Sequence, residues 1–138
     1  MASRLNPYIS FNGNARDALE RYRDVLGGEL HLSTFGELGA ADSPDADKIM
    51  HGLLETGDGF TLMGADTPSH NEFDPGNTMS VSLSGDDGDS LRRYWDGLSE
   101  GGTVTVPLEK QMWGDEFGML VDRFGVAWMV DVVHPQTD

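Results

Sequence analysis

Along this chain hydrophobic positions recur with two periods, and the two periods follow one another in the same order twice. From Ala15 to Leu26 the residues Ala15, Ala18, Leu19, Tyr22, Val25 and Leu26 fall three and four apart. That spacing predicts an amphipathic helix, with Asn12-Gly13-Asn14 as a turn able to cap it and Gly27-Gly28 to end it. Around it lie short segments of strand character: Pro7 to Phe11 before it, Leu30, Leu32 and Phe35 after it, then Lys48 to Thr56 and Phe60 to Ala65 about a Gly57-Asp58-Gly59 turn. Between the second and third strands, Gly36 to Asp47 is rich in Gly, Ala, Asp, Ser and Pro, the composition of a mobile loop.

After a polar connector, Asp66 to Gly76, the order begins again. Thr78 to Ser84 alternates Met79, Val81 and Leu83 with small polar residues, and Asp86 to Asp89 can cap a helix whose stripe is Leu91, Tyr94, Trp95 and Leu98. Gly101-Gly102 closes that helix, Thr103 to Leu108 is a strand, and Glu109 to Asp115 is a loop. A hairpin completes the unit: an apolar run from Phe117 to Val121, a turn at Asp122 to Gly125, and a strand from Val126 in which Val126, Trp128, Val130 and Val132 share the buried face.

Each half therefore reads β-α-β-β-β. Each has a helix ended by Gly-Gly, and each has a turn glycine four residues before a methionine, Gly59 before Met63 and Gly125 before Met129. These correspondences predict an internal duplication within a single α+β domain over 1–138, module one spanning about 5–66 and module two about 77–133. Two such units are expected to form a curved, mostly antiparallel sheet with helices outside and a concave, ligand-sized cleft within.

Composition narrows the function. With 24 acidic against 9 basic side chains the net charge is −15, and a binder of polyanions needs a basic stripe that is absent, so nucleic acid and anionic membranes are excluded as partners. Lysine occurs only at Lys48 and Lys110, an imbalance compatible with solubility in concentrated salt or with mere compositional bias. The absence of cysteine removes disulfides, thiolate metal sites and thiol nucleophiles. MASRLNPYISF has no long apolar run and no segment approaches the length of a membrane span, so a cytoplasmic protein is expected. Gly36-Glu37-Leu38-Gly39 lacks the strand-to-helix context of a dinucleotide site.

The segments PYISFNGNARDALERYRDVLGGEL, MHG and LMGAD around His51 and Met63, and WGDEFGMLVDRFGVAWMV, with their order and spacing, resemble the PhnB-like branch of the vicinal oxygen chelate superfamily, which includes glyoxalase I, bleomycin-resistance proteins and extradiol dioxygenases. The resemblance covers Leu5 to Val133. It implies a homodimer and a divalent metal held by side chains at Pro7 or Tyr8, Met63, Met79 or Ser80, and Met129. None of these is a usual ligand for a hard divalent ion, so no metal and no other cofactor is expected. Tyr8, Met63, Trp113 and Met129 instead suggest a soft cleft for a small organic molecule, with Ser80 and Gln111 as further contacts and Asp115 and Glu116 at the rim. The same residues also suit a filled sheet interior.

His51 is the candidate general base of an alternative, enzymatic reading of the glyoxalase or lyase kind, with Glu55 or Glu109 assisting. Glu55 lies four residues along the same strand, about 13 Å away, too far to share a metal with His51. A histidine merely hydrogen-bonded on the sheet is the competing reading. His31, His70 and His134 read as surface or edge residues.

Overall fold

The computed structural model describes residues 3–134; Met1 and Ala2, at the head of the N-terminal stretch read above for a leader, and residues 135–138 lie outside the described residues. The chain divides into two compact units between Pro75 and Gly76, inside the expected connector. The first runs β1 (Tyr8–Phe11), α1 (Ala15–Leu26), β2 (Glu29–Thr34), β3 (Ile49–Glu55) and β4 (Thr61–Asp66). The second repeats it with β5 (Val81–Gly85), α2 (Gly88–Ser99), β6 (Thr103–Lys110), β7 (Glu116–Val121) and β8 (Ala127–Val132). Each unit builds its own four-stranded sheet, in the orders β1-β4-β3-β2 and β5-β8-β7-β6. The pairs β1-β4 and β5-β8 are parallel and the other pairs antiparallel, so the same topology occurs twice. No helix among the described residues is long and apolar enough to cross a membrane.

Alternation along the strands puts one set of side chains under the helix and the other on the far face of the sheet. In the first unit Phe11, Leu54 and Leu62 are buried with Ala15, Ala18, Leu19 and Tyr22 of α1. In the second, Leu83, Leu120, Trp128, Val130 and Val132 are buried with Leu91, Tyr94, Trp95 and Leu98 of α2. The glycine pairs have a steric reason that the spacing only hinted at. A Cβ on Gly28 would lie 2.2 Å from the Glu55 carbonyl oxygen, and one on Gly102 would lie 2.4 Å from that of Val121, so the second glycine of each pair sits against the end of the sheet's inner strand. Gly27 and Gly101, with φ of +79° and +78°, make the turn out of the helix.

The caps differ between units. Asp87 accepts the Ser90 amide and hydroxyl at 3.2 and 2.8 Å, which holds its carboxyl below the usual range, and so starts α2 as expected. Asn14 does not cap α1. Its side chain accepts from the Asn12 amide, and the Ala15 amide is taken at 2.9 Å by Asp66, whose second oxygen accepts the Ile49 amide at 2.8 Å. Asp66, expected to open the connector, is thus the buried last residue of β4, satisfying a helix start and a strand start together.

Several strand limits also move, and β6 runs on to Lys110, two residues past the expected Leu108. β5 begins at Val81, leaving Met79 and Ser80 before it and Met79 81% exposed. Its pairing with β8 starts at Val81 opposite Trp128, and β8 itself begins at Ala127. Val126 is accordingly half-buried in the turn, exchanging hydrogen bonds with Asp122.

The Gly36 to Asp47 segment is tied down along its length. It opens with a helical turn, Gly36–Ala40, and the Gly36 amide donates to Ala46 at 2.9 Å. Asp45 accepts the Ser69 amide and hydroxyl and pairs with Lys48 at 3.0 Å. These partners, the Ser69 amide first and Lys48 next, lower the Asp45 carboxyl to about 2. A carboxyl lowered on folding adds stability above its unfolded value of about 3.9, and that stability is lost as pH falls toward 2. The wild-type thermal midpoint is therefore expected to drop more steeply between pH 4 and pH 2 than that of Asp45→Asn. Parallel curves would show that this anchor contributes nothing.

Candidate functional site

On the far face of the first sheet, three of the expected site residues come together. Tyr8 pairs with Met63 across β1 and β4, and Met63 pairs with Leu53 across β4 and β3. From the outer strand the Tyr8 side chain leans over β4 to His51 on β3. Its hydroxyl lies 3.3 Å from His51 Nδ1, and the two ring centroids are 5.9 Å apart at 31°. Ala65, two residues past Met63 and hence on the same face, is small enough to let the phenol cross. His51 thus has the orienting partner that a working imidazole requires, supplied by a residue 43 positions away. Tyr8 is 53% exposed, while His51 and Met63 are half-buried.

The far face of the second sheet carries the counterpart. Met129 pairs with Ser82 on β5 and with Met119 on β7. Ser82 therefore holds the place that Tyr8 holds in the first unit, and the expected Ser80 and Met79 lie before the strand. The register could be counted only once the start of β8 was known, although Ser82 and Ser84, small polar residues between Val81, Leu83 and Gly85, already marked the face.

In the next row Phe117 stands opposite Asp131, and Trp113 leans on Phe117 with centroids 6.2 Å apart at 59°. Gln111 closes the β6-β7 loop: its amide nitrogen donates to the Glu109 carbonyl at 2.9 Å and its backbone N–H to Asp115 at 2.7 Å. Glu116 is not a free rim carboxylate. It binds Arg92 of α2 and His134 beyond β8, and these partners, Arg92 first, hold its carboxyl below the ordinary range. This link between helix, strand and tail was not visible in the spacing of the three residues. Asp115 lies beside Asp131, whose carboxyl is pushed up by burial first and by the Asp115 charge second. The Oδ1 atom of Asp131 is buried with no hydrogen-bond partner among the described residues.

His31 is exposed on β2, 3.9 Å from Glu29, and His70 is exposed in the connector. Glu55 faces Glu29 across β2 and β3, and Glu109 faces Phe117 across β6 and β7, so neither pairs with His51 in its strand register.

The donor set at the positions implied for a metal is a phenol and a thioether in the first unit and a hydroxyl and a thioether in the second. Hard divalent ions prefer imidazole and carboxylate, so these residues do not fit one. No group of three or more His, Asp or Glu able to hold an ion occurs among the described residues.

Comparison with known proteins agrees with this architecture. The chain is 29% identical to Protein YjdN of Escherichia coli over 144 aligned positions, covering 96% of this chain and 97% of that protein. The crystal structure of protein PA1353 from Pseudomonas aeruginosa superimposes with a TM-score of 0.82 at 40% identity, covering 94% of this chain and 97% of that one. A PhnB protein from Bacillus cereus shares the fold, with a TM-score of 0.74 at 20% identity over 93% of this chain and 98% of its own. The sequence pattern of the Glyoxalase/Bleomycin resistance protein/Dioxygenase superfamily matches residues 4–130, and the chain belongs to that superfamily.

Proposed function

We propose that this protein is a cytoplasmic, metal-free member of its superfamily that binds a small organic molecule on the far face of its sheets. The observation that carries this reading is the pairing of Tyr8 with Met63 and of Ser82 with Met129, which puts soft or weakly donating groups where a chelated ion would need hard ones. Thioethers and aromatic rings make adaptable, polarizable contacts with flat or apolar ligands. A homodimer belongs to the same proposal, supported by exposed apolar side chains such as Met79, Met112 and Trp113. Elemental analysis of protein purified without chelator is expected to find no stoichiometric divalent ion, and sedimentation to find two chains per particle. One ion bound per chain would overturn the metal-free reading, and a monomer would overturn the dimer.

The hydrogen bond between Tyr8 and His51 favours a second reading, an enzyme in which His51 moves a proton. His51→Ala separates the two once a ligand is found by thermal shift. Turnover by the wild type, lost in the variant while binding persists, selects the enzyme; an absence of turnover in both leaves binding alone.

A further inference from the structure

Resting on the binding reading of the first-unit face, we infer that its ligand is an uncharged, flat aromatic molecule anchored by a single hydroxyl group. Hydrogen-bonding capacity is the first argument. His51 has two ring nitrogens, and Nδ1 is engaged by the Tyr8 hydroxyl, which leaves Nε2 as the one imidazole atom for a ligand. When the phenol donates to Nδ1, Nε2 carries the proton and donates outward; when Nδ1 carries it, Nε2 accepts. A hydroxyl both donates and accepts, so it meets either tautomer, whereas a carbonyl meets only one.

Charge is the second argument. Strand alternation assigns to this face the titratable residues Tyr8 on β1, Glu29 and His31 on β2, and His51 and Glu55 on β3, and none from β4. No lysine or arginine is among them. A carboxylate or phosphonate bound at His51 would find no guanidinium or ammonium among these strand residues to receive it, on a chain of net charge −15.

Shape is the third argument. Tyr8 and His51 present two rings only 31° from parallel, beside the Met63 thioether and Leu53. Such a floor favours a flat ring system over a branched aliphatic one.

Naphthalene, 2-naphthol and 2-naphthoate share one ring system and differ in the group offered to His51. Calorimetric or fluorescence titration of the full chain is expected to give 2-naphthol at least tenfold tighter than 2-naphthoate and several-fold tighter than naphthalene. In His51→Ala the advantage of naphthol over naphthalene should vanish while naphthalene binding persists. Tyr8→Phe, which keeps the ring and removes the hydroxyl, should reduce that advantage and serves if His51→Ala fails to fold. Naphthoate binding as tightly as naphthol, or a naphthol advantage unchanged in folded variants, overturns this inference and leaves the binding reading standing. Failure of all three compounds and of a wider metabolite panel to bind overturns both.

Discussion

Asp122→Ala is expected to destabilise the second unit by on the order of 3 kcal/mol, the largest loss we foresee from removing one side chain's hydrogen bonds. Asp122 is 5% exposed and organises the hairpin from within. Its Oδ1 accepts the Phe124 and Val126 amides at 2.9 and 3.0 Å, and its Oδ2 accepts the indole N–H of Trp128 at 2.9 Å. Water can replace the acceptor for amides in a turn. It cannot do so for an indole that is 1% exposed, so alanine strands a buried donor as well as loosening the turn. Asp122→Asn separates the contributions, because its carbonyl oxygen can still serve the turn while its NH2 meets the indole donor to donor. All three tryptophans, Trp95, Trp113 and Trp128, lie in the second unit, so intrinsic fluorescence in urea reports on that unit. A midpoint within error of the wild type for Asp122→Ala would refute this account of the hairpin.

Gly118→Ala should cost about 2 to 3 kcal/mol, through crowding and not through a lost bond. A Cβ at Gly118 would lie 2.6 Å from Cη2 of Trp95 and 2.9 Å from the backbone N and Cα of Leu108. The register of β6 against β7 slips between Val106 and Glu109, which brings the Leu108 backbone over β7 where there is no side chain to resist it. Neither a packed indole nor a strand backbone moves cheaply. Gly52, its counterpart beneath α1, is the built-in comparison: there the intruding atoms are the side-chain ends of Leu19 and Leu32, at 2.4 and 3.1 Å, which can rotate. Gly52→Ala is therefore expected to cost roughly half as much. Equal penalties by thermal melting would show that backbone proximity is not what distinguishes the two sites.

These glycines illustrate what could be read from spacing. The glycines at the helix ends were legible because Gly-Gly after a periodic apolar stripe has a local meaning. Gly52 and Gly118 were not, because a glycine inside a strand pattern means nothing until the element packed above it is known. The same division runs through the capping residues. Asp87 lies next to the helix it starts, whereas Asp66 is 51 residues from the amide it satisfies, and Asn14, adjacent and of the right type, was passed over. At the candidate site, Met63 and Met129 could be matched from their turn glycines. Ser82 needed the strand register, and the Tyr8 to His51 contact needed the order β1-β4-β3, which sets an intervening strand beneath the reaching phenol.

By itself, then, the order of residues determined that this protein has two βαβββ units, where their helices lie, which methionines correspond, and that acidic side chains outnumber basic ones 24 to 9. Those properties depend on side-chain period, turn chemistry and charge, which act over a few residues or over the whole chain without regard to its path. Which hydroxyl stands beside which thioether, which carboxylate is stranded and which histidine acquires a partner were decided only by the tertiary structure. Each depends on strands distant in sequence meeting in one register, and a shift of a single residue there turns every side chain to the opposite face.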